Sequence, residues 1–192
     1  ARDCSTLEQD LVLCEKAGFD YIEIRLDMLT DYLKRHTVEE LAAFFCTSRL
    51  KPHAFNALYL YPEFLSEGDD EARQKELLEE FRLGCEVGRA IGSHYFIIVP
   101  PLQRDPAGGP YTGSWEDTFS NCVRILKELS RRAEPYDMNL CFELVGFERS
   151  SVRSIGQADA VVRAVDRPNV GFVFDSYNIF LNGGCNDFSA IG

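Results

Sequence analysis

Apolar residues along this chain repeat alternately at the interval of a helix and at the two-residue interval of a strand. Leu7 to Ala17 has helical spacing, with Leu11, Val12 and Cys14 on one face and Gly18 as its stop. DYIEIR, from Asp20 to Arg25, alternates strictly and predicts a strand. Thr37 and Glu40 form a capping box that opens a helix through Phe45. Pro52 then precedes a short strand, HAFNA. Asp69 or Asp70 caps a long charged helix to about Ile91, ended by Gly92. HYFIIV predicts a strand stopped by Pro100 and Pro101. Ser114 opens a helix through about Ala133, and NLCFELV reads as a strand. Ser154 to Val165 is a helix with Pro168 after it, and NVGFVFD is the last strand.

Helices and strands thus alternate, with strand centres near Ile22, Phe55, Ile97, Phe142 and Val173. Such alternation predicts a parallel sheet with right-handed crossovers. Two α/β architectures fit it, the doubly wound sheet and the (β/α)8 TIM barrel. Ile22 and Ile24 share one face while Glu23 and Arg25 share the other. Leu140, Phe142 and Leu144 likewise alternate with Cys141 and Glu143. Strands buried against helices on both sides read as continuous apolar runs. A barrel strand has one face on helices and one in the lumen, where polar residues collect at the C-terminal mouth. The barrel is therefore the expected fold. No strand is followed by G-x-G-x-x-G, and G-x-x-x-x-G-K-[ST] is absent. The dinucleotide and nucleoside-triphosphate readings thus lose their main support.

Composition narrows the partners. The 192 residues are 45% hydrophobic and 27% charged, which is globular. The net charge of −11, from 20 basic and 31 acidic residues, opposes nucleic-acid binding and anionic membrane surfaces. The run Tyr95–Val99 is too short to span a bilayer, and ARDCSTLEQD has no apolar leader core. The seven cysteines form no C-x-x-C pair, so they are expected to be reduced, in a cytoplasmic protein.

The chemistry-bearing residues sit at strand ends. Glu143 stands between Phe142 and Leu144, and Asp175 follows Val173 and Phe174. A carboxylate there needs a cation or a donor. The two are one βα unit apart and project from neighbouring strands, as half of a divalent-metal site would. The alternative is that each caps a helix or pairs with Arg25 or Arg149. Glu23 and Arg25 either pair in the lumen or meet substrate hydroxyls. Asn56 binds a polyol or makes a lumen hydrogen bond. Glu148 and Arg149 reach substrate or form a surface ion pair. Tyr59, Tyr61 and Phe64 offer an aromatic wall or a hydrophobic cap, and residues 100–113 form a lid candidate. His36, His53 and His94 lie near a helix end or strand beginnings, away from the mouth.

The segments LCEKAGFDYIEIR, FNALYLY, FELVGFERSSV and VDRPNVGFVFDSYN resemble the xylose-isomerase-like TIM barrels. These include sugar isomerases, ketose 3-epimerases and endonuclease-IV-type enzymes. Within them the resemblance is to inosose (2-keto-myo-inositol) isomerase, over nearly the whole chain and particularly close from Asp10 to Arg25. It implies a metal-dependent isomerase or epimerase of a keto-sugar or keto-cyclitol, working by proton transfer through a metal-stabilised enediolate. Glu143 and Asp175 match the ligands of the fifth and sixth barrel strands, for Mn2+, Zn2+, Co2+ or Mg2+, and Glu143 matches the proton-transfer carboxylate. Glu23, Arg25, Asn56, Glu148, Arg149 and Asn178 become substrate-binding candidates. A small-molecule partner is expected, with no nucleic acid and no membrane; homo-oligomerisation is compatible.

Two departures stand out. The family's histidine and glutamate ligands of strands seven and eight have no counterpart, so residues 1–192 are expected to form one incomplete domain covering strands two to six. Relatives often read D-S-x-H after the metal aspartate, whereas this chain reads DSYN. Asn178 can hydrogen-bond a hydroxyl but cannot serve as a base at neutral pH. The competing readings are a non-catalytic sugar-binding barrel, a lyase on keto-sugars or oxidised glycosides using the same enolisation, and, disfavoured by charge and histidines, an endonuclease-IV-like DNA repair enzyme.

Overall fold

Each strand pairs with the strand that follows it in the chain. The computed structural model describes residues 4–60, 71–103, 109–184, 188, 189 and 191. Its elements are α1 (Leu7–Ala17), β1 (Tyr21–Arg25), α2 (Leu26–Tyr32), α3 (Val38–Thr47), β2 (Lys51–Tyr59), α4 (Glu71–Ile91) and β3 (Tyr95–Val99). Then come α5 (Trp115–Ala133), β4 (Asn139–Glu143), α6 (Ile155–Val165), β5 (Val170–Val173) and α7 (Ser176–Leu181). The strands form one parallel sheet in the order β1-β2-β3-β4-β5. A doubly wound sheet reverses its strand order at a switch point. No reversal occurs here, which is the winding of a (β/α)8 barrel.

The two strand faces enter different apolar layers. Ile22, Ile24, Phe55, Leu58, Phe96, Ile98, Leu140 and Phe142 join the core beneath the helices. Ala54, Ala57, Ile97, Val99 and Val145 form a separate lumen-side cluster, with Cys141 and Val173 against it. Large side chains thus fill the helix side, and mostly smaller ones leave room in the lumen.

Local signals place the helices. Thr37 and Glu40 make the expected reciprocal cap of α3, and equivalent caps join Thr6 with Gln9 and Ser154 with Gln157. Gly18 ends α1 at φ 85°. The face of α1 differs from expectation. Leu7 and Leu11 are buried with Cys14 packed beside them, while Val12 is 61% exposed. Leu7, Leu11 and Cys14 follow the i, i+4, i+7 stripe, and Val12 is rotated about 100° from Leu11. Pro52 lies inside β2 rather than before it, next to an irregularity in the β1–β2 register. Strand interiors accept proline at such interruptions. Helices α2 and α7 were not anticipated; each follows a strand directly and is too short to show a period. Asp69 and Asp70, Tyr61 and Phe64, and part of the lid candidate, 104–108, fall outside the described residues. Among the described residues no helix is long and apolar enough to cross a membrane. Cys4, Cys14, Cys46, Cys85, Cys122 and Cys141 are free thiols.

Helix α4 approaches the sheet closely because two glycines face it. Phe96 packs on Phe81 and Phe55, with ring centroids 5.1 and 5.6 Å away. A Cβ at Gly84 would lie 2.5 Å from the Phe96 ring. One at Gly88 would lie 2.9 Å from both the Phe55 ring and the Ser93 carbonyl oxygen. Backbone cannot yield cheaply. Gly88→Ala should therefore destabilise the protein by about 1–3 kcal/mol, read as a lower urea midpoint with an unchanged slope.

Candidate metal and substrate site

Four polar side chains stand along the sheet toward the lumen. Glu23 lies within β1, Asn56 within β2, Glu143 at the end of β4, and Asp175 two residues beyond β5, where it caps α7. Parallel pairing sets Arg25 beside Asn56 and Glu143 beside Val173. Asn56 Nδ2 donates to Glu23 Oε2 at 3.0 Å. Arg25 makes a two-point contact with Asp27, through Nε at 3.0 Å and Nη2 at 2.8 Å. Glu23 and Arg25 are thus not partners of one another. Asp27 was missed by sequence reasoning; its only signal was its position two residues beyond Arg25.

Glu143 and Asp175 are brought together at a third residue. Asn178 Nδ2 donates to Glu143 Oε1 at 3.0 Å and to Asp175 Oδ2 at 3.3 Å. Asp175 also caps α7, its Oδ1 accepting from the Tyr177 backbone N–H at 2.8 Å. Part of the capping alternative is therefore realised, while Oδ2 stays turned toward Glu143. Burial pushes the Glu143 carboxyl up to about 7, and the nearby charges of Asp175 and Glu23 add to it. The hydrogen bond from Asn178 opposes them. Below these groups a lumen-side cavity of about 210 Å3 is lined by Glu23, His53, Ala54, Tyr95, Ile97, Cys141, Phe172 and Val173.

The donor set suits a divalent cation. Two hard carboxylates close enough to repel one another, one of them held up to about 7, are what such a cation neutralises. Glu143 and Asp175 fit as two of its ligands. Among the described residues no group of three or more His, Cys, Asp and Glu side chains converges on one point. His36 and His94 stand away from these carboxylates, as expected, whereas His53 lines the lumen cavity with Glu23. His36 stacks on Tyr32, His53 lies between Tyr21 and Tyr95, and His94 contacts Asp137.

Glu148 and Arg149 sit in the loop after β4. The Arg149 guanidinium donates to the Gln103 carbonyl at 3.0 Å, and the Gln103 N–H donates to the Arg149 carbonyl at 2.9 Å. The Glu148 carbonyl accepts from the Tyr111 N–H at 2.9 Å, and its side chain is exposed. These contacts clasp the loop after β3 to the loop after β4. Phe147 and Tyr177 meet edge to face at 6.4 Å and remain largely exposed.

The sequential winding of the sheet defines a class of barrel proteins, and comparison with known proteins agrees on the fold. The family described as xylose isomerase-like TIM barrel matches residues 11–191, so the chain belongs to that family. Within it, inosose isomerase of Bacillus velezensis is 39% identical over 180 residues, covering 93% of this chain and 60% of the relative. Inosose isomerase of Bacillus subtilis is 37% identical, covering 93% and 61%. The crystal structure of the IOLI protein with a bound zinc atom matches with a TM-score of 0.80 at 37% identity, over 94% of this chain and 62% of that one. A D-psicose 3-epimerase structure, at 15% identity and a TM-score of 0.72, shares the fold. The chain thus spans about 60% of the length of the curated relatives it matches.

The raised Glu143 carboxyl has a consequence for stability. Between the ordinary value of 4.5 and about 7, the folded protein binds more protons than the unfolded chain. Stability therefore falls as pH rises through that window and levels off above it. In metal-free protein, urea unfolding at pH 5 and pH 8 should show a larger fall for wild type than for Glu143→Gln. Equal falls would contradict the assignment.

Proposed function

We propose that this protein is a metal-dependent isomerase or epimerase of a keto-cyclitol or keto-sugar, similar in activity to the inosose isomerases. The observation that carries the reading is the Glu143–Asp175 pair, set at the end of β4 and just beyond β5 and joined through Asn178. The 37–39% identity to inosose isomerases and the likeness to a zinc-containing structure support it.

A divalent cation held by Glu143 and Asp175 would polarise the carbonyl of a bound ketone and so acidify the neighbouring C–H. Glu143 would take and return that proton as a carboxylate general base. Glu23 and Asn56, already joined to each other, would present one acceptor and one donor to substrate hydroxyls. Arg25, steadied by Asp27, would stand behind them. Glu148 and Arg149 would serve as the rim.

The test is solvent-deuterium incorporation into 2-keto-myo-inositol at saturating Mn2+. Glu143→Gln should slow it by about 10²–10⁴-fold, the usual contribution of a positioned general base. Chelation should abolish exchange and added Mn2+, Co2+ or Zn2+ should restore it. Exchange that survives both treatments would overturn the reading.

A further inference from the structure

Asn178 is only 7% exposed, although asparagine usually lies at the surface. It sits on α7, three residues after Asp175. Its carboxamide is committed at both ends. Oδ1 accepts from the Gly146 backbone N–H at 3.2 Å, and Nδ2 donates to Glu143 at 3.0 Å and to Asp175 at 3.3 Å. Amide orientation is ordinarily an assignment made from the surrounding network. Here the network permits one answer. A backbone N–H can only donate, so it requires the oxygen on its side, and that turns the NH2 group toward two acceptors.

The backbone holds this arrangement from the other direction. A Cβ at Gly146 would lie 2.0 Å from the Asn178 carbonyl oxygen and 2.8 Å from Leu181 Cβ. The loop after β4 therefore meets α7 only because residue 146 has no side chain. That contact delivers the Gly146 N–H to the asparagine, three residues beyond Glu143 on the same chain segment. Glycine, asparagine and the two carboxylates form one connected unit.

We infer that Asn178 is a positioning residue that presets Glu143 and Asp175 for a divalent cation, rather than a group that meets substrate. It ties one oxygen of each carboxylate with a neutral donor and offsets part of their repulsion. The remaining lone pairs are left for the metal. Both amide hydrogens are spent on the carboxylates, so none is left for a sugar hydroxyl. A neutral histidine has a single N–H and would serve one carboxylate at a time; the asparagine serves both. This inference rests on the metal-dependent reading of the site and assigns a role within it.

The experiment is direct titration with Co2+, following affinity and the visible d–d spectrum, in wild type, Asn178→Leu and Asn178→Ser. Leucine keeps the volume and removes every hydrogen bond. Serine is too short to reach the carboxylates and tolerates water in the space. Far-UV circular dichroism and urea midpoints show which variants are folded. Folded variants should bind Co2+ about 10- to 100-fold more weakly, with an altered spectrum, as loss of a residue that orients metal ligands does. A folded variant that binds within about twofold of wild type with an unchanged spectrum would overturn the inference and leave the metal reading standing. Failure of wild type to bind Co2+ would overturn the metal reading, and this inference with it.

Discussion

The structure depends on keeping the two faces of every strand chemically different. On the helix side, bulky residues such as Phe55, Phe96, Phe142 and Ile24 are almost completely buried. On the lumen side, mostly smaller residues leave space, and carboxylates can stand at the strand ends. A parallel strand with helices on both faces could not hold Glu143, because a carboxylate pressed between apolar layers has neither water nor partner. Sequential strand order follows from the same condition. When every crossover helix lies on one side, each new strand adds at the same edge and the other side becomes a lumen.

That lumen brings like charges together. Burial, with the nearby charges of Asp175 and Glu23 added to it, holds the Glu143 carboxyl up to about 7. The protein meets these charges with neutral amides. Asn56 serves Glu23, and Asn178 serves the other two. An amide satisfies a carboxylate without cancelling its charge, so the attraction for a cation is kept. A lysine or arginine in either place would pair with the carboxylate and cancel its charge. Arg25, at the end of β1, is gripped by Asp27.

Close packing supplies the accuracy. Gly84 and Gly88 let α4 settle against Phe96 and Phe55, which fixes β2 and β3. Gly146 lets the loop after β4 touch α7, which fixes Asn178 relative to Glu143. In each case the determining feature is an absent Cβ. The loop clasp through Gln103 and Arg149 acts in the same direction, tying the mouth loops after β3 and β4 together through backbone carbonyls.

The sequence by itself determined the alternation of elements, the five strands, the two-faced character of Glu23–Arg25 and Leu140–Leu144, the cap at Thr37, and the two carboxylates at strand ends. All of these are short-range: a period of two or 3.6 residues, or a capping residue beside its helix, is written in adjacent letters. What only the tertiary structure decided is pairwise and distant. Arg25 chose Asp27 over Glu23, Val12 turned outward, and Asn178 closed on Glu143 35 residues away. Helices α2 and α7 were too short to carry a period and took shape from the strand ends they extend. Which of several possible partners a charge takes depends on distances of a few ångströms set by packing, and no local pattern encodes those distances. The carboxylate pair was legible as two residues; its geometry, its tie through an asparagine and its reliance on Gly146 exist only once the strands and α7 have packed.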